Sequence, residues 1–417
     1  MDNMVMRETI LKGLENELSL TEATEITDNL SYILSVIRKH LEMDVAFISE
    51  FTDQIRKIEV VDSAERDISL KPGHADLNEL TYCQKIVDGE LDEIIADTSE
   101  NPLTKSMSIT QELDIGSYLG VPIVLNDGEV YGTFCCFSHT PDTTLSERDL
   151  ALMKIFADIA ARQIDKQLIK SQEENQIKRR ISKVLSDKHL KTVFQPIYHV
   201  DEKKVIGYEC LSRFLNTPYR TPDIWFEEAQ FAGFGEELEI MAITAALDKM
   251  NLFPADINFS LNISPEYVIN GAVERALDQH IFNKKIILEV TEHAQITDYH
   301  AFRKAIQSLR KQGVLLAIDD VGAGYSSLHH ILELGADIIK LDISLIRNID
   351  TDTSRKALTA ALLAYAKETS CEVLAEGVET QQEFQELVRL GIKKIQGYFI
   401  SQPLELEDAV NFSYSAF

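Results

Sequence analysis

The chain has 417 residues, of which 45% are hydrophobic and 26% are charged, and its formal net charge at pH 7 is −27. This composition is typical of a globular protein with room for two domains. The acidic excess argues against binding to nucleic acid polymers or to membranes, because both need basic protein surface. No apolar run reaches the length of a membrane-spanning helix, and the N-terminal segment lacks the apolar core of a signal peptide. We therefore expect a cytoplasmic protein.

Residues 20–165 have the pattern of an α+β domain with an antiparallel sheet. An amphipathic helical segment is followed by four strand-like runs, at 44–51, 57–64, 116–125 and 129–138. The last two runs flank Asn126-Asp127-Gly128, a sequence that predicts a hairpin turn. A Ser-x-x-Asp cap at Ser146 then begins a second helical pattern.

The five cysteines, at positions 83, 135, 136, 210 and 371, include no CxxC pair, which favours reduced thiols. Cys135 and Cys136 are neighbours on a predicted strand, so their side chains face opposite sides of the sheet and cannot line one pocket. We therefore assign this adjacent pair no metal or redox role, and we interpret Cys83 as an ordinary buried thiol.

No Pro or Gly occurs from Glu147 to about Leu190, which predicts one long helix between two halves of the chain. Apolar residues recur along it in polar surroundings. This pattern fits either a seam between two copies or a solvated spacer helix, and we favour the seam and hence a homodimer. The predicted division is a regulatory domain at 1–165, a connecting helix at 166–190 and a barrel at 191–417.

From Thr192 onward, eight strand-like runs alternate with helical segments over roughly 225 residues, the size and rhythm of a TIM-type (β/α)8 barrel. The carboxyl ends of such strands meet on one face, where active sites are found. Seven of the runs carry a carboxylate, amide or amine near that end, which predicts a shared site. The candidates are Glu209, Asn262, Glu292, Asp319, Asp320, Lys340, Asp342, Glu376 and Gln396.

Asp319 and Asp320 end an apolar run side by side, where each charge raises the cost of ionising the other. A divalent cation removes that cost. Carboxylates with one amide, and no His or Cys at metal-binding spacing, favour Mg²⁺ or Mn²⁺ over Zn²⁺. Two such cations sharing a carboxylate suit hydrolysis of a phosphate ester, and a protonated lysine among the acids can hold the attacking water.

The C-terminal half contains a series of short motifs. In order, they are Glu209-Cys210-Leu211 with Arg213, then LNIS, LEVTE, DDVGAGYSSL, KLD, AEGVET and QGYFISQPL. This series resembles the motifs of the EAL domain family, which hydrolyses cyclic di-GMP to linear pGpG. The resemblance covers residues from about 185 to 410. It implies an α/β barrel whose first strand runs against the others, and a dinucleotide substrate.

The resemblance also implies a role for each candidate. One cation would be bound by Glu209, Asn262, Glu292 and Asp319, and a second by Asp319, Asp320 and Glu376. Lys340 would orient the attacking water and act with Glu209 and Glu376 in catalysis. Contacts to the ligand are implied for Gln195, Arg213 and Gln396, and support of the cation ligands for Glu379 and Asp342.

Two positions depart from the family pattern, since Cys210 replaces an alanine and Val321 replaces a phenylalanine. Neither position supplies a ligand, so cation binding should survive, while Val321 could alter the basal rate.

Residues 20–165 resemble a GAF domain through the run TYCQKIVDGELDEIIADTSENP, the later SYLGVPI and the strand YGTFCCFS. This second resemblance implies a sensor of a small molecule or a protein.

Taken together, these resemblances predict a cyclic di-GMP phosphodiesterase that is regulated by its N-terminal half. One alternative is a non-catalytic receptor that binds cyclic di-GMP and signals through a partner protein. Another is a scaffold with a vestigial barrel. The complete set of ligand residues favours the enzyme, because clustered acids without a use destabilise a fold.

Overall fold

The computed structural model describes residues 26–65, 68–217, 219–280, 285–291, 294–322 and 327–414. Its internal contacts divide the chain into two compact units, with the boundary between Glu173 and Glu174.

The first unit is built on a six-stranded sheet in the order β3-β2-β1-β6-β5-β4, in which every neighbouring pair is antiparallel. The strands are β1 Val45–Phe51, β2 Ile55–Ser63, β3 Ala75–Leu77, β4 Ile94–Ile95, β5 Ser117–Val124 and β6 Val130–Ser138. The helices are Ile26–His40, Tyr82–Val87, Pro102–Ser106 and Ser108–Glu112, with a 3-10 turn at Asn78–Leu80. The predicted α+β domain with an antiparallel sheet is confirmed.

This sheet has two buried faces, because successive side chains on a strand point to opposite sides. On β1, Val45 packs on one face and Ala46 on the other. On β6, Cys135 lies on the face of Val45 and Cys136 on the face of Ala46, as the alternation predicts.

The turn between β5 and β6 forms at the predicted Asn126-Asp127-Gly128 sequence. Gly128 has φ +89°, and its N–H donates to the carbonyl oxygen of Leu125 at 3.0 Å. Glycine suits this position because a Cβ atom disfavours the left-handed region. The hairpin prediction is therefore confirmed.

One helix of 41 residues, Glu147–Asp187, follows the first sheet and leads to the barrel. Its N-terminal part contributes Ala160 and Ile164 to the core of the first unit. Near its C-terminal end, Ile181 and Val184 are fully buried in a cluster of the second unit. The long helix is thus part of both hydrophobic cores, while its pairing with a second copy stays a prediction.

The second unit contains a closed eight-stranded barrel in the order β10-β11-β12-β13-β14-β7-β8-β9. Its strands are β7 Leu190–His199, β8 Lys204–Phe214, β9 Asn258–Asn262, β10 Ile286–Thr291, β11 Leu315–Val321, β12 Ile338–Leu341, β13 Glu372–Ala375 and β14 Lys394–Ile395. β7 is antiparallel to both of its neighbours, and every other pair is parallel. The predicted barrel with a reversed first strand is confirmed.

Helices accompany the barrel strands and bury their apolar faces against them. They are Pro222–Ala232, Gly235–Met250, Pro265–Ile269, Ala272–Asp278, Tyr299–Lys311, Ser327–Leu334, Ile343–Ile346, Thr353–Thr369, Gln381–Leu390 and Leu406–Val410. Within the described parts of the chain, no helix has both the length and the apolarity that crossing a membrane requires.

Candidate active site

The barrel interior is layered, because side chains two residues apart on a strand point the same way. A small internal cavity is lined by residues from all eight strands, among them Ile197, Gly207, Ser260, Ile287, Ala317, Ile338, Leu374 and Lys394. Two residues further toward the carboxyl ends of the parallel strands, the next layer is polar. It comprises Glu209, Asn262, Glu289, Asp319, Lys340, Glu376 and Gln396, with Gln195 contributed by the reversed strand β7.

Lys340 lies at the centre of this polar layer and is only 1% exposed. Its Nζ is 2.7 Å from Glu289 Oε2, 2.8 Å from Glu376 Oε1, 3.0 Å from Asp319 Oδ2 and 3.8 Å from Glu209 Oε1. Three strands and the loop that follows β13 thus direct one carboxylate each toward one ammonium group. A single positive charge cannot compensate four ionised carboxylates, so the cluster favours the binding of further cations.

The protonation of the cluster follows from burial and from these charges. Although burial alone would lower it, the four carboxylates raise the pKa of Lys340 well above its ordinary value, so the ammonium persists. Burial raises the pKa of Glu289 to about 8, with Lys340 opposing and Glu209 adding to the shift. Burial also raises the pKa of Glu376 well above its ordinary range. Glu289 and Glu376 therefore hold protons more tightly than ordinary carboxyl groups do. A metal cation that binds these carboxylates would displace the protons.

The carboxylates form two sets that share Asp319. Oxygen atoms of Glu209, Glu289 and Asp319 lie within 4.8 Å of one another, and so do those of Asp319, Asp320 and Glu376. Adjacent residues on a regular strand point to opposite faces. Asp320 departs from that geometry with φ +56°, and its N–H donates to Asp319 Oδ1 at 2.9 Å. This local backbone strain is what lets both neighbouring carboxylates reach the same site.

The donor set fits hard divalent cations. Every member of the two sets offers carboxylate oxygen, and neither set includes a thiolate or imidazole. Oε1 of Glu289 is buried and accepts no hydrogen bond from any described residue. Asn262 Nδ2 donates to Glu209 Oε1 at 3.1 Å, which places its amide beside the first set. Oxygen ligands of this kind are those that Mg²⁺ and Mn²⁺ prefer.

The residues predicted to contact the ligand lie in two neighbouring places. Gln396 is buried, and its Nε2 donates to Glu209 Oε2 at 2.5 Å and to Gln195 Oε1 at 3.2 Å. Arg213 instead lines a cavity of about 930 Å³ that Asn262 also borders. A cavity of this volume is in the range of small-molecule sites. It is bordered by Asn262, the neighbour of Glu209, and it extends over the helix Pro222–Ala232.

The residues predicted to support the cation ligands lie in the loops after β12 and β13. Asp342 accepts a hydrogen bond from the N–H of Ser344 at 2.8 Å and so begins the helix Ile343–Ile346. Burial, and then the charge of Asp319, raises the pKa of Asp320 to about 6, and Asp342 adds to this shift. Glu379 is exposed and pairs with Arg347 at 2.6 Å, which links the two loops.

Glu383 was not among the predicted residues, yet it anchors the loop that carries Glu376. It is 1% exposed, and its carboxylate accepts hydrogen bonds from the N–H groups of Asn348, Glu379 and Thr380 at 3.0, 3.0 and 3.1 Å. The signal in the sequence is the Thr-x-x-Glu capping box that Thr380 and Glu383 form at the start of the next helix.

Glu289 is the main addition that the structure makes to the predicted site. The residue of LEVTE that was predicted as a cation ligand is the second glutamate, Glu292. It lies outside the described residues, so its role stays a prediction. Counting in steps of two from Ile287, which faces the barrel interior, would have identified Glu289. The two residues that depart from the family pattern are Cys210 and Val321. Both are buried in the core, outside the polar layer.

Comparisons with known proteins match both halves of the chain. The GAF domain family matches residues 25–164. The chain is 30% identical over 238 residues to the probable cyclic di-GMP phosphodiesterase PdeD of Escherichia coli K12, covering 55% of this chain and 44% of that protein. It is 32% identical over 224 residues to the probable cyclic di-GMP phosphodiesterase PdeA of the same bacterium, covering 51% and 30%. The chain thus spans less than half the length of these relatives.

Solved structures give the same result for the barrel. The PaMucR phosphodiesterase in its c-di-GMP complex aligns with a TM-score of 0.51 and 28% identity, over 56% of this chain and 99% of that one. The EAL enzyme Bd1971, bound to cAMP and cyclic di-GMP, aligns with a TM-score of 0.54 over 88% and 93%, and at 19% identity it shows a shared fold alone. The EAL domain family matches residues 174–403, more than half of the sequence. The chain therefore belongs to the EAL domain family.

Proposed function

We propose that this protein is a metal-dependent phosphodiesterase that hydrolyses cyclic di-GMP to linear pGpG. The observation that carries the proposal is the ring of Glu209, Glu289, Asp319 and Glu376 around the buried Lys340. Relatives that match this half are named cyclic di-GMP phosphodiesterases, and the PaMucR structure contains c-di-GMP. A scaffold would not need this ring, because apolar residues in its place would be at least as stabilising.

Two divalent cations, Mg²⁺ or Mn²⁺, are assigned to the two carboxylate sets. The first set is Glu209, Glu289 and Asp319, joined by Asn262 and by the predicted ligand Glu292, and the second is Asp319, Asp320 and Glu376. When bound, such cations polarise phosphoryl oxygens and lower the pKa of bound water. The shared Asp319 is what keeps the two sets in one site.

Lys340 is placed to hold the attacking water and the developing negative charge. Because its pKa is raised well above the ordinary value, it donates hydrogen bonds and does not act as a base. Glu376 is assigned to the catalytic group with Lys340 and Glu209, because its Oε1 lies 2.8 Å from Lys340 Nζ. Hydrolysis then adds water across one P–O bond, leaving a phosphate on one nucleotide and a free hydroxyl on the other.

The cavity of about 930 Å³ is the proposed dinucleotide site. Arg213 and Asn262 both border it, and Asn262 contacts Glu209 of the first carboxylate set. Arg213 is the residue that we assign to the phosphodiester, because a guanidinium binds phosphate oxygens well. Phe226 and Pro222 offer apolar surface further along the same cavity, suited to a guanine base. Gln396 and Gln195 contribute amide groups from inside the polar layer.

Regulation by the N-terminal half is part of the proposal. Residues 1–165 would act as the sensor, the helix at 166–190 as the connection and residues 191–417 as the barrel, in a homodimer. The long helix supports this arrangement because it contributes buried residues, such as Ile164 and Ile181, to the core of each unit.

The proposal is tested by turnover of cyclic di-GMP by the full chain with Mg²⁺ or Mn²⁺, resolved by chromatography, with an EDTA control. We expect pGpG to appear only with the metal. Glu209→Ala should abolish turnover, whereas Glu202→Ala, at an exposed acid before the same strand, should not change it. Wild-type activity in Glu209→Ala would show that the site is misplaced.

Tight binding of cyclic di-GMP without turnover under either metal would instead support the non-catalytic receptor.

Lys340→Ala tests the role proposed for Lys340. Turnover should fall by about a hundredfold or more, as for the loss of other preorganised donors, while dinucleotide binding stays close to that of the wild type. Loss of binding with an unchanged rate at saturation would contradict that role.

A further inference from the structure

The first unit contains a second cluster of reactive groups, outside the site described above. Cys83, on the helix Tyr82–Val87, and Cys135, on β6, have Sγ atoms 3.8 Å apart. Both residues are fully buried. The hydroxyl of Tyr118 lies 3.5 Å from Cys83 Sγ. Cys135 therefore faces a thiol from another element, not its neighbour Cys136, on the opposite face of the sheet.

A buried guanidinium completes this thiol cluster. Arg56 is 2% exposed, its Nη1 donates to Cys83 Sγ at 3.7 Å, and its Nη2 donates to Asp76. Nε of Arg56 is also buried and has no hydrogen-bond partner among the described residues. Burying an incompletely bonded cation is costly unless it stabilises an anion. Asp76 is one such anion on the partly exposed side, and a thiolate at Cys83 would be a second.

The two thiols are unequal as a result. Although burial alone would raise it, the hydrogen bond with Cys135 and the charge of Arg56 lower the pKa of Cys83 well below its ordinary value. Burial, together with Cys83, raises the pKa of Cys135. One nucleophilic thiolate beside one protonated thiol is the combination that forms a disulfide by oxidation.

A glycine packs against Cys135 from the neighbouring strand. Gly120 is paired with Cys135 across β5 and β6, and a Cβ atom at that glycine would lie 3.2 Å from Cys135 Sγ. It would also lie 2.8 Å from the ring of Tyr118, so a larger residue at position 120 would crowd both side chains. A disulfide needs an S–S distance of about 2.05 Å, so the two sulfur atoms, now 3.8 Å apart, must approach further on oxidation.

We propose that Cys83 and Cys135 form a reversible disulfide within the first unit, with a hydroperoxide as the oxidant. The Cys83 thiolate attacks one peroxide oxygen, which breaks the O–O bond and leaves a sulfenic acid and hydroxide. Sγ of Cys135 then attacks the sulfenic sulfur, so the S–S bond forms and the S–O bond breaks. The departing hydroxide takes the thiol proton of Cys135. In total, one thiolate, one thiol and hydrogen peroxide give one disulfide, one water and one hydroxide.

We expect a small polar oxidant such as hydrogen peroxide to reach the buried sulfur on the side of Arg56, because that residue pairs with the partly exposed Asp76. The site is independent of the proposed phosphodiesterase chemistry, and its test does not depend on turnover.

The test treats the reduced full chain with hydrogen peroxide and maps disulfides by non-reducing digestion and mass spectrometry. We expect a linked peptide pair containing Cys83 and Cys135, an intact mass lower by two hydrogens, and reversal by dithiothreitol. Cys136→Ser is the matched control, because Cys136 is equally buried on the same strand but contacts Met153. This variant should form the linkage at the wild-type rate, and Cys83→Ser and Cys135→Ser should not form it.

Arg56→Met should slow formation of the linkage by about tenfold or more at neutral pH, since it removes the positive charge and the hydrogen bond that favour the thiolate. Arg56→Lys should restore part of the rate. Mapping of the wild-type chain decides the proposal even where a variant fails to fold. Oxidation of the less buried Cys371 while Cys83 and Cys135 stay reduced, or linkage of Cys135 to any other cysteine, would overturn it.

Discussion

Glu289 and Glu292 stand three positions apart in one motif, and of the two only Glu289 is among the described residues. On β10, residues at even distances from Ile287 face the barrel interior, and Glu289 meets that condition. Its Oε2 lies 2.7 Å from Lys340 Nζ, and its second oxygen has no hydrogen-bond partner among the described residues. The first carboxylate set is therefore built around Glu289.

Glu289→Gln should weaken binding of Mn²⁺ and lower turnover by at least about tenfold to a hundredfold, because it removes a charged oxygen ligand from the first set. Titration calorimetry with Mn²⁺ and initial rates with cyclic di-GMP measure the two effects. Glu292→Gln is the matched comparison and tests the role that the family motif implies. Unchanged Mn²⁺ affinity in Glu289→Gln would show that this residue is not a ligand.

At the scale of a single element, the end of the long helix Glu147–Asp187 packs into the core of the second unit. Ile181 and Val184 are fully buried in a cluster with Phe214 and Trp225. Arg180 adds hydrogen bonds to Glu228 at 3.0 and 2.8 Å. This segment is thus a structural part of the second unit, although the sequence pattern alone suggests a connector.

A fragment that begins at residue 185 lacks both buried side chains, whereas one that begins at residue 174 keeps them. Each buried aliphatic side chain contributes about 1.5–3 kcal/mol, so the shorter fragment should be less stable by about 3–6 kcal/mol. Urea unfolding of the two fragments measures the difference in the free energy of unfolding. Equal midpoints would contradict the structural role of the helix end.

For the whole molecule, acidic residues outnumber basic ones by 68 to 41, and some of the acids are buried. Glu239 is one that belongs to neither carboxylate set. Its carboxylate accepts hydrogen bonds from the N–H and the hydroxyl of Ser264 at 2.7 and 2.6 Å. Burial nevertheless raises the pKa of Glu239 to about 7. Its ionisation therefore opposes folding.

The sign of the resulting pH effect follows from linkage. The ordinary pKa of Glu239 is 4.5 and its folded value is about 7, so the folded state binds the proton more tightly. The stabilisation is complete below pH 4.5 and is lost as the pH rises to about 7. Relative to the wild type, Glu239→Gln should gain about 2 kcal/mol between pH 5 and pH 8. Urea unfolding at both pH values measures this, and a pH-independent difference would refute it.

The sequence by itself determined the organisation of the molecule. The α+β half, the long helix, the barrel with its reversed first strand and most of the polar residues at the strand ends were predictable. Each of these depends on a local pattern, such as a period of two, a turn sequence or the order of motifs. Asn126-Asp127-Gly128 specifies a hairpin turn between two strands that pair, and Lys340 lies near the carboxyl end of an apolar run.

The tertiary structure alone decided which of these side chains meet. Glu289 enters the site because the register of β10 turns it inward, and Asp320 does so because its positive φ interrupts the alternation of the strand. The contact of Cys83 with Cys135 joins residues 52 positions apart. Contacts of this kind form only after strand pairing fixes register and direction, and a linear pattern carries neither.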